Sequence, residues 1–329
     1  MTRDDSKAIL VLATGGTIAG VSGSALRRDY RPGQIAIDEF LQQIEDLGVS
    51  ASLVGKQIAN IGSENIGPEI WAKLHDEICR ALNDDTIGGI IITHGTDTAE
   101  ETAFALDQTL PSTKPVVLVG AMRAADAVGS DGLRNFANAV NVASDPEAAG
   151  RGLMVVMGDR VFAARDVRKA HTDAVDAFRG FPRNGVAMVT PGSLEWFGAP
   201  WRMDEPARFD LPGCWPEVPV LFAHAGLSSA DVEHVLAAKP QGLVIAGFGS
   251  GNMPDVVRST LAVAAQQGLP VVRATRVDEG LVDREPQDDA NGFVAARALG
   301  PAKARILLQL LTAGGVTGAA DIQAAFNRR

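Results

Sequence analysis

The chain has 329 residues, 46% of them hydrophobic and 21% charged, which is ample apolar material for two domains with cores of their own. A formal net charge of −10 counts against nucleic acid or an anionic membrane as the main partner, because phosphates are bound by clustered Lys and Arg. No apolar run approaches the roughly 18 residues needed to span a bilayer.

Five scattered histidines lack HExxH-type spacing, so neither a metal site nor a cofactor is expected. Cys79 and Cys214 have no CxxC spacing and permit at most one disulfide. The start, MTRDDSKAILVLATGG, runs from Asp4 and Asp5 straight into an apolar stretch and has none of the features of a signal peptide. A cytoplasmic protein is expected, or a periplasmic one if a leader has been removed.

In chain order, short Val/Ile/Leu runs predict strands at Ala8 to Ala13, Gly89 to Thr93, Pro115 to Gly120 and Gly152 to Met157. Further runs follow at Pro219 to Ala223, Gly242 to Ala246 and Pro270 to Ala274. Brief apolar runs of this kind suit strands covered on both faces. Between them, Ile70, Leu74, Ile78 and Leu82 recur at near-helical spacing. Leu133, Phe136, Ala137 and Val140 share one helical side, and Pro301 opens a helix that buries Ile306, Leu307, Leu310 and Leu311. The alternation predicts an α/β fold: a larger N-terminal domain with a mainly parallel sheet flanked by helices, and a smaller C-terminal α/β domain with a parallel sheet. Five prolines between Trp196 and Pro219 make poor helix or central strand. We therefore expect domains over 1–195 and 218–329, joined by a linker over 196–217.

Two turns stand out chemically. In LATGGTIAG, Thr14, Gly15, Gly16 and Thr17 follow the first strand, where ligands of open parallel sheets collect. Paired glycines can turn sharply and present N–H groups, although a tight strand-to-helix turn accounts equally well for TGGT alone. In IIITHGTDTAEETA, Thr98 and Glu101 have capping-box spacing and place Thr96 and Asp97 at a helix N-terminus. His94, at the apparent strand end, reads as structural. Two Thr-Gly turns ending two core strands have a shared logic: a threonine nucleophile needs a nearby base or relay, and amide hydrolysis needs donors for the developing oxyanion. Lys169, in GDRVFAARDVRKAHTDAVDAF, reads by itself as part of a solvated charged face.

Together these segments resemble the bacterial-type asparaginase and glutaminase-asparaginase family. The resemblance is carried by ATGGTIAG at Ala13 to Gly20, NIGSEN at Asn60 to Asn65, THGTDTAEETA at Thr93 to Ala103 and KPVVLVGAMR at Lys114 to Arg123. RDVRKAHT around Lys169, GFGSGN at Gly247 to Asn252 and the tail from Arg276 extend it over nearly the whole chain. It implies Thr17 as the nucleophile that forms an acyl-enzyme and releases ammonia from L-asparagine, with glutaminase activity as a secondary reaction. Gly16 would line the substrate site. Tyr30 would orient or activate the Thr17 hydroxyl, and the polar stretch between them would close over substrate. Thr96, Asp97 and Lys169 match the family's second catalytic set, in which a desolvated Lys169 acts as base toward water. Asp97 would also bind the substrate's α-ammonium and Ser63 its α-carboxylate. Asn252 and Glu285 match residues lent to a neighbouring subunit's site, which implies a homotetramer.

Two departures from the family pattern matter. Glu64 stands where asparagine-selective relatives have glutamine, and Cys79 has no partner cysteine near 105–110, in keeping with a reducing compartment. The rival reading is an idle amino-acid-binding or regulatory protein on the same scaffold, but such descendants lose part of the constellation. An ammonia-channelling amidotransferase would carry an extra N-terminal domain, whereas here the first core strand begins at residue 8.

Overall fold

A computed structural model describes residues 7–21, 33–46, 51–203 and 205–328. The chain divides into two compact units, Met1–Arg208 and Phe209–Arg329.

The first unit begins with β1 (Ala8–Gly15), α1 (Ile37–Asp46), β2 (Leu53–Ile61), α2 (Pro68–Leu82), β3 (Ile87–Thr93) and α3 (Ala99–Thr109). β4 (Val116–Val119), α4 (Gly132–Ala143) and β5 (Leu153–Met157) complete its parallel part. The apolar runs explain the choice: all residues of β4 and β5 are buried, as central strands between two helical layers must be. β2 differs. It lies at the sheet edge, half-exposed along its length, so no continuous apolar run marks it in the sequence.

Five short strands follow: β6 (Arg160–Ala163), β7 (Val167–Lys169), β8 (Phe178–Gly180), β9 (Ala187–Val189) and β10 (Leu194–Trp196). The main sheet runs β10-β9-β6-β5-β4-β3-β1-β2, while β7 and β8 pair separately. Pairing is parallel from β2 through β5 and antiparallel from β5 through β6 and β9 to β10. β1 lies between β2 and β3, so the chain leaves it first to one side and then to the other. The gap between the carboxyl ends of β1 and β3 is thus a topological switch point, where α/β sheets place ligands.

The helical spacing holds: Ile70, Leu74 and Ile78 of α2 are buried, joined by Trp71 and Ala81, while Leu82 is half-buried. Phe40 of α1 meets Phe136 of α4 edge-on at 5.0 Å between ring centroids within the unit's core. At the end of this unit, Arg151 lies over the Trp196 ring at 3.9 Å and the buried Arg202 binds Asp107 at 2.9 Å. Among the described residues, none between 197 and 219 belongs to a helix or strand.

The second unit contains β11 (Val220–Phe222), α5 (Ser229–Ala237), β12 (Leu243–Gly247), α6 (Asp255–Gln266), β13 (Val271–Thr275), α7 (Pro286–Asn291) and β14 (Phe293–Ala295). It ends with α8 (Pro301–Ala313) and α9 (Ala319–Asn327). Its sheet is wholly parallel, in the order β11-β12-β13-β14. Ile306, Leu307, Leu310 and Leu311 of α8 are all buried. Cys79 and Cys214 are free thiols, and burial, with Asp76 nearby, pushes the Cys79 thiol upward. No helix of the described residues is long and apolar enough to cross a membrane.

Candidate active site

Both Thr-Gly turns lie at the switch point. β1 and β3 are paired in register up to Ala13 and Thr93, and the Thr14 hydroxyl donates to the Thr93 carbonyl at 2.9 Å. Beyond these residues the two chains turn away together. Gly15 and Gly16 take φ of +100° and +79°, values that L side chains rarely adopt. Gly16 also packs against Gly95: a Cβ built on Gly16 would lie 2.5 Å from Gly95 Cα. The glycines of Gly16-Thr17 and Gly95-Thr96 therefore touch backbone to backbone, and their two threonines are carried on adjoining turns. Thr17 and Thr96 are both buried.

Ser63 is the third element of the turn cluster. It follows β2, is buried, and its Oγ accepts from the Asp97 backbone N–H at 3.1 Å. Thr98 is the N-cap residue of α3, but the expected capping box with Glu101 does not form there. The Thr98 hydroxyl donates instead to the Ser63 carbonyl at 2.7 Å, and the helix start has no side-chain cap. The hydroxyl that local spacing assigned to α3 is used to tie the β2 turn to the β3 turn. Glu64 is exposed; its carboxylate folds back beside Gly62 and accepts from Asn65 Nδ2 at 3.2 Å.

Lys169 is not on a solvated face. It ends β7, its side chain is only 17% exposed, and its Nζ donates to Thr96 Oγ1 at 2.9 Å and to Asp97 Oδ1 at 2.5 Å. The charged run that surrounds it hides this, because the partners lie 73 and 72 residues away in the chain. Glu100, which sequence reasoning passed over, fixes the lysine's backbone: its carboxylate accepts the Lys169 N–H at 2.9 Å. Its only sequence signal is its place in the first turn of α3, three residues after Asp97.

His94 directly follows β3, fully buried, with Nδ1 2.6 Å from the Gly95 carbonyl. Nδ1 must donate to that oxygen, which leaves Nε2 as the unprotonated nitrogen. Burial lowers its pKa to about 4, against a smaller opposing effect of the carbonyl, so the ring is neutral near pH 7.

In the second unit, Asn252 follows β12 and is exposed, its backbone paired with Phe248 in both directions at 2.7 Å. Glu285 is the N-cap residue of α7 and half-exposed. Both therefore stand beyond the carboxyl ends of their unit's strands. Tyr30 lies outside the described residues. The structure thus brings Gly16, Thr17, Ser63, Thr96, Asp97 and Lys169 into one cluster, with Glu64 at its exposed side. Chemically the cluster holds three buried hydroxyls, those of Thr17, Ser63 and Thr96, with an ammonium on that of Thr96 and a carboxylate on that ammonium. Such a set can attack an acyl carbon and handle the proton that the attack releases.

Comparison with known proteins agrees with that chemistry. Residues 8–202 match the family description "Asparaginase, N-terminal", and residues 217–326 match "Glutaminase/Asparaginase C-terminal domain". The chain is similar to L-asparaginase 2 of Escherichia coli K12, with 39% identity covering 92% of this chain and 88% of that protein. It is also similar to a glutaminase-asparaginase of Pseudomonas aeruginosa, with 34% identity covering 91% of this chain and 84% of that one. A crystal structure titled as a probable cytoplasmic L-asparaginase from Campylobacter jejuni superimposes with a TM-score of 0.91 at 36% identity, covering 98% of this chain and 100% of that one. Since both units match, in order and over nearly their whole length, this chain belongs to the asparaginase family.

Proposed function

We propose that the chain is an L-asparaginase that converts L-asparagine to L-aspartate and ammonia, with glutaminase activity as a secondary reaction. The observation that carries this reading is the contact of Lys169 Nζ with Thr96 Oγ1 and Asp97 Oδ1 beside the Gly16–Thr17 turn. The Thr17 hydroxyl attacks the side-chain amide carbon; the C–N bond breaks, the amine takes the hydroxyl proton, and ammonia leaves an ester on Thr17. Water polarised by Thr96 and Lys169 then attacks the ester, the C–O bond breaks, and Thr17 recovers its proton. Tyr30 orients the Thr17 hydroxyl. Asp97 binds the substrate's α-ammonium and Ser63 its α-carboxylate.

The working unit in this reading is a homotetramer in the cytoplasm, with residues 1–195 as the catalytic domain. Asn252 and Glu285 of a neighbouring copy complete each site, Glu285 on the substrate ammonium. The names of the similar proteins from E. coli, P. aeruginosa and C. jejuni support the substrate class. Glu64 supports the glutaminase component, since it places a carboxyl where selective relatives have an amide. One methylene separates the two substrates, and discrimination of that kind is worth about 1–3 kcal/mol.

Ammonia release by the purified protein on L-asparagine and L-glutamine, with Thr17→Ala assayed alongside, tests the proposal. Turnover of asparagine that disappears in Thr17→Ala is expected, and the two kcat/KM values rank the substrates. Normal turnover by Thr17→Ala, or tight L-aspartate binding without hydrolysis by the wild type, would refute it.

A further inference from the structure

Arginine is a poor choice for the middle of a buried parallel strand, yet Arg273 stands there in β13 with no exposed surface. A guanidinium taken out of water is strongly unfavourable unless its donors are used. Here they are. Nε donates to Asp288 Oδ1 at 2.9 Å, and Nη2 to Asp288 Oδ2 at 2.6 Å, the two-pronged fit that only arginine makes. Nη2 also donates to the Asp283 carbonyl and Nη1 to the Ser250 carbonyl, each at 2.6 Å. Nη1 faces Glu285 Oε1 at 3.6 Å.

These acceptors do not belong to the strand's own neighbours in the sheet. Ser250 lies two residues before Asn252, on a turn wrapped so closely over the arginine that a Cβ on Gly251 would meet Arg273 Cγ and Nη1 at 3.0 Å. Asp283 lies two residues before Glu285, and Asp288, fully buried, accepts the Glu285 backbone N–H at 2.9 Å. One side chain thus holds both segments at the carboxyl end of the sheet. A core built only for stability would put an aliphatic residue at this position.

We propose that Arg273 is a positioning residue for substrate binding, setting the two segments that carry Asn252 and Glu285 in a fixed relation to each other. This rests on the reading of Asn252 and Glu285 as substrate-site residues given above. Arg273 touches no substrate; it acts through those two. Asp288 is the counter-ion that lets it do so from a buried place.

The test uses the full chain and steady-state kinetics on L-asparagine, with folding and assembly followed by thermal melting and sedimentation. Arg273→Lys keeps the charge but offers a single ammonium that cannot reach Asp288, Ser250 and Asp283 together. Asp288→Asn keeps the shape and removes the counter-ion. Each folded variant is expected to raise KM by ten- to a hundredfold with a much smaller change in kcat. Arg273→Lys should cost nothing further in an Asn252→Ala/Glu285→Ala background. Wild-type KM in a folded Arg273→Lys protein overturns the inference, as does a full additional loss in the double-alanine background. Loss of folding in both variants also overturns it, since the network is then a stability element. If Asn252→Ala and Glu285→Ala each retain wild-type kinetics, the underlying assignment of those two residues is what fails.

Discussion

In the proposed reading, the Lys169 contact is expected to matter for rate and little for stability. Its carboxylate partner is more than half exposed, and ion pairs in such places contribute about 0–1 kcal/mol to folding. Its partner hydroxyl is buried, and in the proposed mechanism loss of the proton carrier there would be felt in turnover. Lys169→Met is therefore expected to lower kcat by roughly 10²–10⁴-fold, the usual range for a general acid–base group. Its melting temperature should shift by only a few degrees, and L-aspartate should still bind, as calorimetry can check. Glu100→Ala makes the complementary case. It leaves Thr96, Asp97 and Lys169 intact but removes the acceptor of the Lys169 N–H. Charge-assisted hydrogen bonds of this kind are worth about 1.5–3 kcal/mol, and release of the β7 end should cost about tenfold in kcat. A Glu100→Ala enzyme with unchanged kcat would mean that β7 is held by its pairing with β8 alone.

At the scale of elements, the site depends on two turns whose backbones touch. A methyl on Gly16 faces two difficulties: a φ of +79° with ψ −169°, a region essentially reserved for glycine that costs a residue with a Cβ about 1–3 kcal/mol, and the contact with Gly95. The second is decisive for function, because both partners are backbone and no rotamer change can relieve it. Gly16→Ala is expected to fold, since the core of the unit is untouched, but to lose more than a hundredfold in kcat/KM as the β1 and β3 turns part. Near-native kcat/KM for Gly16→Ala would show that Thr17 and Thr96 need not be held at the observed spacing. The Thr98 hydroxyl on the Ser63 carbonyl serves the same end from the β2 side, tying three consecutive strand-end turns into one platform.

For the molecule as a whole, the buried neutral His94 links stability to pH. Its pKa is depressed from the ordinary 6.5 to about 4, so on acidification the unfolded chain takes up the proton first. The stability that depends on a neutral ring is complete above about pH 6.5 and is lost as the pH falls toward 4. The full difference amounts to about 3 kcal/mol, a large part of the 5–15 kcal/mol typical of a folded domain. Urea midpoints at pH 7 and pH 4.5 should therefore differ markedly more in the wild type than in His94→Asn. Equal pH dependence of the two proteins would show that other groups dominate the acid limb. The same residue stands directly between Thr93, which ends β3, and the Gly95 turn, so acid should loosen the site and the core together.

Sequence by itself determined the α/β class and the buried central strands, because continuous Val/Ile/Leu runs between helical patterns can be covered only from both faces. It also pointed to Gly16-Thr17 and Gly95-Thr96, since glycine-flanked threonines after buried strands are a local pattern, and it carried the family resemblance. Tertiary structure decided what lacks a local signature. β2 is an edge strand with only half-burial to mark it, and β6 to β10 are too short for periodicity to show. The Thr98 hydroxyl was drawn from its own helix by a carbonyl 35 residues away, and Lys169 left its charged surroundings for partners more than 70 residues distant. Arg273 carries no local mark, and only the fold closes Ser250, Asp283 and Asp288 around it. In each case the deciding energy comes from groups far apart in the chain, and only the folded backbone brings them within hydrogen-bonding distance.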